Sequence, residues 1–100
     1  MIRLEGDRID IETVKPYQIN FGPDEDGVGG WLSDFASDEA LATAVWTVPS
    51  GLVSESEDAD TLTATIVLSA TAAGSYTVEC KATSTPGGYV DVFGFEVIVE

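Results

Sequence analysis

One hundred residues, 44% of them apolar, are enough for one modest core and too few for two, so the chain reads as a single domain spanning residues 1–100. Eighteen acidic side chains against four basic ones leave a net charge of −14. A surface of that sign repels phosphate backbones and anionic headgroups, which argues against nucleic acid and membrane partners. The absence of histidine removes Ser-His-Asp and Cys-His nucleophiles together with histidine-ligated metals.

From the first residue, M-I-R-L-E-G-D-R-I-D lacks an apolar run of signal-peptide length, and nothing later approaches a membrane span. Manufacture and use without export are the expectation. Ile9 and Ile11 alternate with Asp10 and Glu12, and Tyr17, Ile19 and Phe21 alternate with Gln18 and Asn20. Both patterns predict strands, with residues 1–16 an N-terminal arm or edge strand and Pro16 marking an edge or bend. Residues 22–30 are acidic and rich in glycine, which predicts a loop. The W-L-S-D-F run from Trp31 is too short for a period; a single helical turn tucked against the end of the domain is expected.

The segment from Ala40 to Val48 is apolar on both sides, with Ala42, Ala44, Trp46 and Val48 on one and Leu41 and Val45 on the other. That pattern predicts a central strand with Trp46 in the core. Pro49-Ser50-Gly51 then turns the chain, and S-E-S-E-D-A-D over 54–60 predicts an acidic connection. Leu62, Ala64, Ile66 and Leu68 alternate with threonines and Val67, an amphipathic strand. In G-S-Y-T-V-E-C-K-A, Tyr76, Val78, Cys80 and Ala82 share one face. A tyrosine two residues after Gly74 resembles the penultimate strand of an immunoglobulin-like sandwich, where the phenol tethers the strand to the preceding turn. Lone Cys80 forms no intrachain disulfide and is expected as a buried, inert thiol.

After a hairpin loop at Thr85-Pro86-Gly87-Gly88, Phe93, Phe95, Val97 and Val99 make one apolar face of the last strand. Val90, Val92 and Ile98 make the other apolar too. Either a bulge at Gly94 resolves the excess, or the second face is covered by the N-terminal segment or another subunit. About seven short strands with no convincing helix predict an all-β, immunoglobulin-like antiparallel β-sandwich.

Phosphate-cradling glycine loops are missing from the sequence, and a small sandwich with solvated carboxylates offers no dry pocket for acid-base work, so no enzyme and no cofactor are expected. Calcium is the more serious option: Asp24, Asp26, Glu57, Asp58 and Asp60 are hard oxygen ligands, although their spacing does not fit an EF-hand, and acidic loops are ordinarily just solvated. Trp31 and Tyr89 beside glycine-rich stretches, with Val90, Val92 and Ile98 on the last strand, are the candidate interaction residues. Satellite packing is the competing reading for the two aromatics.

Trp31-Leu32, the D-E-A-L-A-T-A-V-W-T-V-P-S-G-L run from Asp38 to Leu52, A-G-S-Y-T-V-E-C from Ala73 to Cys80 and the closing F-E-V-I-V resemble a family of small immunoglobulin-like virion proteins of tailed bacteriophages. The resemblance covers roughly residues 17 to 100 and rests on short signals shared with bacterial immunoglobulin-like repeats. It implies a non-enzymatic protein that decorates or cements the head or neck, or contributes to a fibre. Assembly in the host cytoplasm, contact with the major capsid or another virion protein, and a homo-oligomer are what it leads one to expect. The alternative is a calcium-stabilised immunoglobulin-like binding module of a bacterial surface or secreted adhesin.

Overall fold

A computed structural model describes residues 2–22, 31–34 and 39–100, with the side chains of all these except residues 33 and 34. Among the described residues eight strands form two packed sheets: β1 (Ile2–Arg3), β2 (Asp7–Ile9), β3 (Val14–Asn20), β4 (Ala40–Thr47), β5 (Leu52–Ala59), β6 (Thr63–Ala70), β7 (Gly74–Thr85) and β8 (Val90–Val99). The larger sheet runs β1-β8-β7-β4, with β2 also on β8, and the smaller runs β3-β6-β5. The all-β sandwich is therefore as expected. Its pairing is antiparallel except for β1 and β2, which run parallel to β8.

β7 holds the frame because its alternation is strict: Val78, Cys80, Ala82 and Ser84 are buried while Thr77, Lys81 and Thr85 face out. It pairs with β8 on one side and β4 on the other. Beneath it the core forms two adjoining clusters. One gathers Ile66, Leu68, Val78, Val97 and Phe95; the other gathers Phe21, Trp31, Leu41, Cys80 and Phe93. Leu4 and Trp46 touch both. Opposite β7, the β6 residues Ala64, Ile66 and Leu68 are fully buried, as their two-residue period predicts.

Several expectations need correction. β4 is an edge strand, not a central one. A bulge between Leu41 and Thr43 switches its facing, so that Leu41 is buried, Ala42 is exposed and Val45 is 58% exposed. The two-sided apolar pattern came from the bulge rather than from burial on both faces. Residues 54–60 are not a plain connection, because most of them belong to β5, an outer strand whose polar side chains meet water. Ile9 is buried on β2, but the strand ends there; Ile11 sits exposed in a turn where Glu12 has φ +75°. Gly94 marks no bulge, since β7 and β8 stay in register from Gly74↔Val99 to Thr83↔Val90. Pro16 does lie on an edge strand, β3.

Candidate functional site

The residues singled out for contact separate into two groups. Trp31 sits on a 3-10 turn (Trp31–Asp34) that plugs the end of the sandwich, and it is 5% exposed. Its ring meets Phe21 and Phe93 edge-on at 5.7 and 5.5 Å, and its Nε1 donates to Asp91 Oδ2 at 2.8 Å. As a surface anchor Trp31 is ruled out by this packing; it belongs to the core. Tyr89, 47% exposed, and Val90, 49% exposed, lie at the loop end of the β7–β8 hairpin.

Val92 and Ile98 point the same way as Val90, away from the buried Phe93, Phe95, Val97 and Val99. The register sets Val92 beside Lys81 of β7, and Lys81 beside Val45 of β4. One step along, Val90 faces Thr83, which faces Thr43. The outer face of the larger sheet thus carries valines on two strands around a lysine stem, which can itself cover apolar surface. Val45 was not among the expected contact residues; its parity opposite Trp46 was the available signal. The N-terminal segment does not lie across this face. It extends the sheet sideways, along β8.

The residues considered for calcium do other work in the described part of the chain. Asp60 Oδ1 accepts the backbone N–H groups of Leu62 and Thr63 at 2.8 and 2.7 Å, bonds that hold its carboxyl below the usual carboxylate range. Glu57 accepts the Ser54 hydroxyl at 2.8 Å, and Asp58 accepts the N–H of Ala59. No group of three or more candidate ligands occurs among the described residues. Asp24 and Asp26, with the rest of residues 23–30, and residues 35–38 lie outside them.

Two clefts open at the seams between the sheets. One, of about 390 Å³, runs between the arm and β3 and is lined by Leu4, Glu5, Tyr17, Gln18, Ile19, Asn20 and Phe95. The other, of about 290 Å³, lies between β4 and β5 and is lined by Ala44, Trp46, Glu57, Asp58 and Ala59. Cys80 is fully buried, and burial, then the nearby Glu57 carboxylate, pushes its thiol up to about 12, so at neutral pH it is an unreactive thiol. The phenol of Tyr76 donates to the carbonyls of Ala72 and Ala73 at 2.9 and 3.2 Å, the tether expected from its place after Gly74.

No protein-family model and no curated protein matches this sequence. Among solved structures the chain is similar to a cysteine protease inhibitor from Entamoeba histolytica, with a TM-score of 0.57 and 8% identity, over 99% of this chain and 94% of that one. It is also similar to part of an endo-fucoidan hydrolase from glycoside hydrolase family 107, at TM-score 0.56 and 14% identity, and to a variant of that enzyme at 0.58 and 15%. Each hydrolase match covers all of this chain but only 13% of the enzyme. At these identities the likeness is one of fold.

Proposed function

We propose that this protein is a non-enzymatic structural component of a tailed-phage virion that works by surface contact, decorating or cementing the head or neck. The virion setting comes from the sequence resemblance in the Trp46 and Tyr76 strands. The mode of action rests on one observation: Val45, Val90 and Val92 share the outer face of the larger sheet, opposite the inner face that buries Phe93, Phe95 and Val97. Apolar side chains kept on an exposed sheet face, inside an otherwise acidic surface, suit burial against another protein better than they suit water. The partner is a neighbouring virion protein, and a basic surface on it would complement the net charge of −14.

Replacing Val92 with lysine tests the reading. The substitution leaves the inner face untouched, so the melting temperature is expected to stay within a few degrees of the parent. Incorporation into particles, followed by immunogold labelling of gradient-purified virions from a producing culture, is expected to fall at least tenfold. Parent protein found only in the particle-free fraction would refute the virion role. A V92K chain that labels particles as well as the parent would refute the face.

A further inference from the structure

We propose that the N-terminal arm, residues 2–9, exchanges between copies of this chain, each molecule laying its arm along β8 of the other. The inference is independent of the virion reading and uses a different part of the molecule.

The arm packs Leu4 and Ile9 against the core, but its pairing with the sheet is short. β1 contributes two register pairs and β2 three, whereas β7 and β8 share ten. Between the short strands, Leu4 donates its N–H to the Gly94 carbonyl at 2.8 Å. The seam below Leu4 and Glu5 is underfilled, as the 390 Å³ cleft records. Ile2 is 39% exposed. The turn from Asp10 to Thr13 is the covalent connection between the arm and β3, which belongs to the other sheet.

That turn is strained. Glu12 sits at φ +75°, in the left-handed region that disfavours a residue with a Cβ. Extending the turn releases the strain and lets its four residues span about 13 Å, enough to carry the arm towards a neighbour. Short, strained hinges are those that invite exchange.

Complementarity is guaranteed by identity. Everything the arm touches is present in the same geometry in every copy: the edge of β8, the Lys15 amine and Tyr17 phenol that donate to Asp7, and the Glu100 carboxylate that meets Arg8 at 2.7 Å. Charge shapes the balance further. Within residues 2–9, Arg3 and Arg8 offset Glu5 and Asp7, so the arm is neutral and the remainder of the chain carries the whole −14. Two bodies repel while the arms do not, and salt that screens the bodies favours the exchanged pair.

A disulfide trap decides the matter. Arg8 and Ile98 are register partners, so R8C and I98C, introduced together in a C80A chain, link within one molecule when the arm is closed and between two when it is exchanged. The protein is refolded at low and high concentration in 0.5 M NaCl, oxidised and run on a non-reducing denaturing gel beside the R8C and I98C single variants, whose own dimers are the background to be exceeded. Exchange predicts a covalent dimer whose share rises at least fivefold with concentration. Internally linked monomer at every concentration overturns the proposal, and it does so even if the chain associates through its sheet face, because that contact leaves the link internal. A second variant guards against a trap that folds poorly: deleting Ile11 and Glu12 shortens the hinge and is expected to give a folded, obligate dimer by sedimentation. A folded monomer from that deletion overturns the proposal as well.

Discussion

At the scale of single residues, Tyr76 and the two tryptophans show how position decides a side chain's work. The Tyr76 ring lies between two backbone positions that need glycine: Gly51 at φ +109°, where a Cβ would run into the ring, and Gly74 at φ +150°. Its hydroxyl then ties the strand to the carbonyls of the turn before it. Tyr76→Phe keeps the packing and removes only that tether, at about 1 kcal/mol, which for a domain of this size lowers the melting temperature by about 5 °C. Thermal unfolding followed by circular dichroism checks this, and an unchanged midpoint would show the tether to be idle. Trp46 is half-buried on an edge strand with its ring 6.4 Å from Phe95, whereas Trp31, which the sequence marks only as a neighbour of glycines, is almost fully enclosed. Nothing local to Trp31 signals this. Its burial is decided by Phe21 and Phe93, which lie far away in sequence and meet it at one end of the sandwich.

At the scale of elements, strands were legible where one face is buried and the other wet. β6, β7 and β8 follow a two-residue period that can be read directly, and so does β3 from Tyr17 to Asn20. β5 was not legible, because its inward-facing positions at the seam include Ser54 and Glu57, which water can reach. Polar residues serve there as well as apolar ones. β4 misled through its bulge, since one inserted residue exchanges the two faces halfway along the strand. The outer valines of the candidate contact face could be counted in sequence, but which elements flank them depended on the parallel docking of the arm. That docking has its own polar clasp, in which Asp7 of β2 accepts the Lys15 amine at 2.7 Å and the Tyr17 hydroxyl at 2.8 Å from β3. The Lys15 bond first, then that of Tyr17, holds the Asp7 carboxyl below its ordinary 3.8, while burial first and then Asp7 push the phenol above its ordinary 10.0. A lowered carboxyl stabilises the fold above its unfolded value and loses that contribution as pH falls through the folded one; a raised phenol loses its contribution as pH rises above 10.0. Asp7→Asn is therefore expected to cost about 1 kcal/mol across a plateau from about pH 5 to 9, with the gap to the parent closing as pH falls below 3.8. Melting curves across that range test it, and a gap that widens in acid would reverse the assignment.

For the whole molecule, the dominant physical fact is charge of one sign. Two ion pairs, Arg8 with Glu100 and Lys15 with Asp7, occur among the described residues, and both involve side chains open to solvent. Such pairs contribute little, about 0 to 1 kcal/mol each, and salt weakens them. The remaining acids repel one another over the surface of a small domain, and salt relieves that repulsion over a Debye length that shrinks from about 10 Å at 0.1 M to about 3 Å at 1 M. With a net charge of −14 the repulsion outweighs the two pairs, so added salt should stabilise this fold. Raising sodium chloride from about 0.02 to 0.5 M at pH 7 is expected to lift the melting temperature by about 5 °C, with most of the rise complete by the point where the screening length falls below the spacing of neighbouring carboxylates. Sodium chloride distinguishes this from general salting-out, because sulfate at equal ionic strength adds the stabilisation common to all folded proteins on top of the screening. A melting temperature that falls with sodium chloride would mean that Arg8 and Lys15, through their ties to Glu100 and Asp7, hold the domain together more firmly than its carboxylates push it apart.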